Sequence, residues 1–400
     1  MKNENRLLTL INKFKQIGKT PENGVTRPVY DENWTKAQLA YADEATELGL
    51  FVSVDEMGNV YAATTDDLEK RPVILTGSHM DTVINGGALD GTYGDLASLV
   101  AVGNLKDQLG QPKIPLVSIS FSEEEGSRFD ATFTGSRFLT KQAEPNTDDL
   151  LDANQIDFAT ARKHAVDELL EKYPKQGPIN VQQYLELHIE QGPVLEHQDL
   201  EIGVVTGIVG QRRALITVHG ETNHAGTTPM EMRRDALRAA IQLITNIQIL
   251  LDQHPEVRYT IGQLNLEPNI SNVIPGKVIF SLDMRSVDQP KLNQLFQKVS
   301  ELVAEMTAEL VPTTNVKATL MDEQLQKTIS KVTNQLELSS AKMVSGAGHD
   351  AQIMSYRVPT GMIFVPSIKG ISHAPQEAST NESLINGLNV LEKTLAKLSY

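Results

Sequence analysis

Apolar residues recur along this chain in two rhythms, one of period near 3.6 and one of short continuous or alternating runs. Near the start, Leu7, Leu8, Leu10 and Ile11 predict an amphipathic helix. Leu39, Ala42 and Ala45 share one side of a second helix over residues 34–48, which Gly49 ends. Residues 51–54 and 59–62, around Met57-Gly58, predict a hairpin. The runs at residues 73–75, 116–121 and 360–365 read as buried strands, and residues 96–102 as a helix between the first two. Strand, helix and strand at that spacing make a parallel βαβ unit, whose ligands bind at the carboxyl ends of its strands. The polar stretch Gly24-Val-Thr-Arg27 could face a site, but on its letters alone a plain loop is the first reading.

From residue 209 to about 319 the pattern changes. Residues 213–219 alternate as a half-buried strand. A long helix over 232–251 carries Ala236, Leu237, Ala240, Ile244 and Ile247 at helical spacing. Strands follow at 259–264 and 278–285, then a helix over 289–310. Two helices on a small antiparallel sheet make an α+β insert. The last helix puts Leu384, Leu388, Leu391, Leu395 and Leu398 in one stripe, which reads as core.

Polar chemistry gathers where the predicted strands end. After residues 73–75 stands Gly77-Ser-His-Met-Asp-Thr-Val83, followed by a Gly-rich loop with Asp90. His79 offers a borderline nitrogen, Asp90 a carboxylate able to bridge two ions, and Asp81 an acceptor for the other ring N–H of His79. After residue 121 comes Ser122-Glu-Glu-Glu-Gly-Ser-Arg-Phe129. Three adjacent carboxylates are costly to bury unless a cation holds them, although on a surface they would be an ordinary acidic turn. Residues 184–190 alternate as a strand bearing His188, and His373 lies in a loop beyond residues 360–365. Each of these histidines alone is more often structural. Together, three histidines and two acidic clusters at strand ends can form a two-ion site of His, Asp and Glu ligands suited to zinc or manganese.

Composition narrows the setting. Of the 400 residues, 40% are hydrophobic and 22% charged, as in soluble globular proteins, and the length suggests two domains. The net charge of −15 argues against nucleic-acid and anionic-membrane partners. The absence of cysteine excludes disulfides, thiolate ligands and a Cys nucleophile. The polar start and the lack of a long apolar run lead us to expect a cytoplasmic protein.

The motifs above, taken in order with Glu186-Leu-His-Ile-Glu-Gln-Gly192, Asn223-His-Ala-Gly-Thr-Thr-Pro-Met230, Arg233-Arg-Asp-Ala236, Asn269-Ile-Ser-Asn-Val-Ile-Pro-Gly276, Asp283-Met-Arg-Ser286, Ser345-Gly-Ala-Gly-His-Asp-Ala351 and Gly370-Ile-Ser-His373, cover nearly the whole chain. They resemble the amidase/carbamoylase branch of the M20 metallopeptidase family, which includes N-carbamoyl-L-amino acid hydrolases, allantoate amidohydrolases and β-ureidopropionases. The resemblance implies an α/β catalytic domain with a mixed, largely parallel sheet flanked by helices, interrupted by a smaller α+β lid and dimerisation domain. The boundaries would be 1–208 and 323–400 for the catalytic domain and 209–322 for the lid.

The resemblance also implies roles. His79 and His188 would each bind one ion, on opposite sides of the pair. Asp90 would bridge the ions, with a cis peptide after it. Glu125 and His373 would complete the other ion's shell. Glu124 would be the general base, with Glu123 the competing choice if the register is off by one, and Asp81 would orient His79. In the lid, His224 would reach an active site in the partner subunit of a homodimer and donate to the oxyanion. Arg285 would read the substrate carboxylate with Asn272, although the residues alone fit a surface ion pair equally well. Gln191 and Gly348 would be further substrate contacts, and His349 and Asp350 would support the site. His164, His197, His219 and His254 read as structural or surface residues. The implied cofactors are two divalent ions per subunit, Zn2+ or Mn2+, with Co2+ or Ni2+ usable in vitro. The implied substrate is a small carboxylate bearing a ureido group: first an N-carbamoyl-L-amino acid, then allantoate. A di- or aminopeptidase of the same fold and a non-catalytic binding protein are the remaining alternatives.

Overall fold

The structure is a computed structural model that describes residues 2–142 and 147–400. The chain divides into two units, Met1–Thr206 with Met321–Tyr400, and Gly207–Leu320.

The first unit is built on one sheet. Its strands run in the order Phe51–Val54, Val60–Ala63, Leu116–Phe121, Pro72–His79, Asn180–Ile189, Thr360–Val365 and Ile202–Ile208. The four strands from Leu116–Phe121 to Thr360–Val365 are mutually parallel, and antiparallel strands flank them on both sides. The parallel strands are apolar runs buried on both faces, as strands covered by helices on either side must be. The helix Thr92–Leu109 crosses between Pro72–His79 and Leu116–Phe121 and is buried from Thr92 to Leu105. Gly94 lets it approach the sheet, because a Cβ there would lie 2.2 Å from the Leu187 carbonyl oxygen.

The letters of Asn180–Ile189 alternate apolar and polar from Tyr184 on, but its burial does not. Residues 184–189 are buried throughout. Its inward polar residues have partners: Glu186 accepts from Ser78 Oγ at 2.8 Å and from the Ala351 N–H at 2.8 Å. A polar side chain can therefore occupy a buried strand face when the neighbouring elements satisfy it. Arg27 corrects the plain-loop reading in the same way. It is fully buried, and its guanidinium donates to the carbonyls of Met80, Phe14 and Ile17 and to Thr92 Oγ1.

In the second unit, strands Leu264–Glu267, Lys277–Ser286, Gly210–His219 and Glu309–Val316 form an antiparallel sheet, with Arg258–Thr260 also paired to Lys277–Ser286. Lys277–Ser286 alternates half-buried and buried positions along its length. Its inward residues Val278, Phe280, Leu282 and Met284 pack with Ala240, Leu243 and Ile247 of one helix and Leu292, Leu295 and Val299 of another.

Three boundaries differ from expectation. The first helix is Ala236–Leu251 rather than 232–251, because Asp235 caps it by accepting the N–H groups of Leu237 and Arg238. The second is Gln289–Glu305 rather than 289–310. Thr307 turns left-handed (φ 53°), and Leu310 and Val311 pair with Ile216 and Leu215 as a strand. The expected strand over 259–264 is two short strands, Arg258–Thr260 and Leu264–Glu267, on different segments of the same neighbour.

Candidate metal centre and active site

Four parallel strands present their carboxyl ends at one edge of the sheet, and the candidate residues arise there. His79 ends its strand, Glu123, Glu124 and Glu125 follow Phe121, His188 is the penultimate residue of Asn180–Ile189, and His373 follows Thr360–Val365 in a loop. Asp90 lies between His79 and the helix Thr92–Leu109.

Two donor groups share Asp90. His79, Asp90 and His188 form one, and Asp90, Glu125 and His373 the other. In the first, Asp90 Oδ1 lies 3.1 Å from His188 Nε2 and 3.8 Å from His79 Nε2. In the second, His373 Nε2 lies 3.0 Å from Asp90 Oδ2 and 3.5 Å from Glu125 Oε2. Two ligands on one tetrahedral zinc, at bonds of roughly 2.0–2.1 Å, stand about 3.4 Å apart. These separations bracket that value, and the two oxygens of Asp90 face different groups, as a bridging carboxylate requires. Among the described residues, the buried Glu125 Oε1 has no hydrogen-bond partner. Burial and the adjacent Asp90 push the Glu125 carboxyl up to about 8, a charge conflict that a cation would relieve. The donor set therefore fits two divalent ions. It also corrects one expectation: His79 and His188 stand in the same group rather than on opposite sides.

The surroundings hold the ligands in place. His188 Nδ1 faces the Ile189 carbonyl at 2.9 Å, which assigns its proton there and makes Nε2 an acceptor, which takes the Gly91 N–H at 3.2 Å and is the atom turned to Asp90. His79 Nδ1 faces the Asp81 carbonyl at 3.1 Å and Asp81 Oδ1 at 3.3 Å. Burial would lower the His79 pKa, but the hydrogen bond its ring donates to Asp81 and the charges of Glu124, Asp81 and Asp90 raise it well above the usual histidine value. The Asp81 carboxylate also accepts the N–H groups of Glu124 and Glu125, each at 3.1 Å, so one side chain orients His79 and pins the acidic loop.

The expected cis peptide after Asp90 is not found. Among the described residues the cis bond is Glu267–Pro268, and Asp90–Gly91 is trans. The bend is made instead at Gly91 (φ 59°, ψ −52°), a γ-turn in which the Thr92 N–H meets the Asp90 carbonyl. A Cβ at Gly91 would lie 2.4 Å from the His79 carbonyl oxygen and 2.5 Å from its ring.

The three glutamates differ in their surroundings. Glu123 is fully buried, and its Oε1 accepts the Gly126 N–H at 2.7 Å. Glu124 is 9% exposed, and among the described residues its carboxyl takes no hydrogen bond. Burial, together with Glu125, Asp350 and Asp81 and against the pull of His79, raises the Glu124 pKa well above the carboxylate range.

Gln191 donates to Asp90 Oδ2 at 2.9 Å and to Ser372 Oγ at 3.1 Å, so its amide already stands at the donor groups. Gly348 is exposed, and a Cβ there would lie 2.9 Å from the Phe133 ring. His349 and Asp350 are buried behind the site. The His349 ring meets that of His188 edge-on at 4.6 Å, and among the described residues both carboxyl oxygens of Asp350 lack a hydrogen-bond partner. Ser372 and Glu377 also stand against Asp90 and were not singled out from the sequence. Their only signal there is proximity to His373.

The remaining predicted residues lie in the second unit. His224 and Asn272 are brought together: Asn223–His224 pairs with Val273–Ile274, and the Ala225 N–H meets the Asn272 carbonyl at 3.1 Å. His224 is exposed, and its Nδ1 accepts the N–H groups of Gly226 and Thr227, so Nε2 carries the proton. Arg285 is in the larger sheet, and its guanidinium meets both oxygens of Asp283, at 3.0 and 3.3 Å. The ion-pair reading of Arg285 is thus realised here.

The profile of peptidase family M20/M25/M40 matches residues 75–397. The chain is 38% identical to the allantoate amidohydrolase of Bacillus subtilis (strain 168), over 99% of this chain and 98% of that protein. It is 34% identical to the N-carbamoyl-L-amino acid amidohydrolase of Geobacillus stearothermophilus, over 98% of each. Among solved structures, an amidase of the hydantoinase/carbamoylase family from Burkholderia multivorans superposes with a TM-score of 0.90 at 32% identity, covering 98% of this chain and 97% of that one.

Proposed function

The chain belongs to peptidase family M20/M25/M40, and from that premise we propose that it is an amidohydrolase that cleaves a ureido C–N bond in a small carboxylate substrate. The observation that carries this reading is the pair of donor groups sharing Asp90, with the unengaged carboxyl of Glu124 next to the ligand Glu125. His79, Asp90 and His188 would hold one divalent ion, and Asp90, Glu125 and His373 a second. When bound, such ions acidify water and polarise the scissile carbonyl.

The chain's own residues do the rest. Glu124 accepts a proton from the attacking water as the new C–O bond forms at the carbamoyl carbon, then delivers it to the leaving nitrogen as the C–N bond breaks. The Glu124 carboxyl is unengaged and adjoins the ligand Glu125, which suits a group that must take and return a proton. His224 donates its Nε2–H to the developing oxyanion, the tautomer that the Gly226 and Thr227 N–H groups select. In a homodimer it would do so in the partner's active site. Arg285, with Asn272, takes the substrate carboxylate in its planar fork, with Asp283 holding the guanidinium until then. Gln191 and Gly348 line the remainder. The released carbamate decomposes to ammonia and carbon dioxide.

Identities of 38% to an allantoate amidohydrolase and 34% to an N-carbamoyl-L-amino acid amidohydrolase support a ureido carboxylate substrate, with an N-carbamoyl-L-amino acid and allantoate as the two readings. Ammonia release by the metal-loaded protein from allantoate and from N-carbamoyl-L-methionine, assayed side by side, tests the proposal. Turnover of at least one of the two is the expected result. Turnover of the carbamoyl amino acid alone would make it an L-carbamoylase, and silence on both would refute the ureido reading.

A further inference from the structure

Glu377 is a buried carboxylate that the mechanism does not use. It is 8% exposed and lies four residues beyond His373, in a turn closed by its own N–H on the Ala374 carbonyl at 3.0 Å. Its Oε1 accepts two consecutive backbone N–H groups from the loop before the helix Thr92–Leu109: Leu89 at 2.9 Å and Asp90 at 3.0 Å. Its Oε2 accepts Ser372 Oγ at 2.8 Å. Ser372 Oγ is also 3.4 Å from Asp90 Oδ2, the oxygen that faces His373. Gln191 Nε2 closes the circuit by donating to both Asp90 Oδ2 and Ser372 Oγ. The approach requires a glycine, since a Cβ at Gly87 would lie 1.9 Å from Glu377 Oε1.

We infer that Glu377 is a positioning residue for the two-ion centre: its carboxylate fastens the loop carrying Asp90 to the loop carrying His373. The argument is one of geometry. Asp90 must present one oxygen to His79 and His188 and the other to His373 and Glu125. Nothing in its own side chain sets that rotation. Two hydrogen bonds to its peptide and the preceding one fix the backbone from which the side chain projects. The third bond, through Ser372, ties that backbone to the segment supplying His373. A carboxylate suits the task because one oxygen can take two N–H groups while the other takes a hydroxyl, with no proton needed on either. Outer residues that orient metal ligands are worth roughly 10–100-fold in metal affinity or activity.

The inference rests on the proposed two-ion centre, and its test does not depend on the substrate. Wild-type protein and the variants Glu377→Leu, Glu377→Gln and Gly87→Ala are stripped with a chelator and titrated calorimetrically with Mn2+, and the unfolding midpoint of each metal-free form is recorded. Glu377→Leu keeps the volume and removes the acceptors. It should bind at least one Mn2+ roughly 10–100-fold more weakly, with a matching fall in kcat and nearly unchanged KM on the ureido substrate. Gly87→Ala, which drives the carboxylate away, should behave like Glu377→Leu. Glu377→Gln should be largely rescued, because its amide oxygen still accepts from Leu89 and Asp90. Wild-type Mn2+ affinity in both Glu377→Leu and Gly87→Ala overturns the inference. So does a loss that follows the metal-free unfolding midpoint and that Glu377→Gln fails to rescue. A wild-type protein silent on every ureido substrate would refute the proposed reaction while leaving the Mn2+ titration to decide the role of Glu377.

Discussion

Replacing Glu124 with Gln separates catalysis from metal binding. Glu124 belongs to neither donor group, and its backbone N–H is held by Asp81 whatever its side chain carries. Its carboxyl takes no hydrogen bond among the described residues, so an isosteric amide breaks no partner's bond. The variant should keep both metal ions and its unfolding temperature. A positioned general base contributes roughly 10²–10⁴-fold, or about 3–5 kcal/mol of transition-state stabilisation. We therefore expect kcat for ammonia release to fall by about that factor, with KM little changed. Metal content by mass spectrometry and steady-state kinetics on one preparation check both halves. Glu123→Gln is the matched control. Glu123 is fully buried with Oε1 committed to the Gly126 N–H, a role an amide oxygen can fill, so its activity should stay near wild type. An active Glu124→Gln beside a dead Glu123→Gln would refute the assignment, and metal loss in Glu124→Gln would refute its separation from the ligands.

Arg285→Ala should raise KM by roughly 10–100-fold, as expected for loss of a charged hydrogen bond worth about 1.5–3 kcal/mol, and unchanged affinity for the substrate carboxylate would contradict its role. Gly91→Ala should destabilise the fold by about 1–3 kcal/mol in urea, since it places a Cβ at positive φ against His79, and it should weaken metal binding by His79; wild-type values in both assays would refute this. Arg27→Met should cost about 3 kcal/mol or more in equilibrium unfolding, because it leaves the buried Met80 and Phe14 carbonyls and Thr92 Oγ1 without their donor. Chelation of the metal should abolish turnover and lower the unfolding temperature in calorimetry, with both restored by Mn2+ or Zn2+.

Much of the site was legible from the letters because parallel strands are apolar runs and their chemistry collects where the runs stop. That rule alone brought His79, Asp90, the three glutamates and His373 to one edge, and the structure places them at the carboxyl ends of four mutually parallel strands. The alternation in Lys277–Ser286 and the helical stripe of Ala240 and Ile247 likewise announced a separate antiparallel layer with helices on one face. Local periodicity could not tell a helix from a strand at Leu310 and Val311, where pairing with Ile216 and Leu215 decided the matter.

Strand order is also absent from the letters. The strand bearing His188 follows the one bearing His79 by about a hundred residues, yet the two are direct neighbours in the sheet. Adjacency put both imidazoles on the same oxygen of Asp90, where the family resemblance implied one on each side. The bend after Asp90 was made by a positive φ at Gly91 because the close approach of His79 leaves room only for hydrogen there. Arg27 read as a loop residue and Glu377 was not singled out, and only folding showed one bracing Met80 and the other holding Asp90. The residue types that can bind and hydrolyse were thus set by local sequence. Which of them meet was set by long-range hydrogen bonds and packing, which depend on distances that no local pattern records.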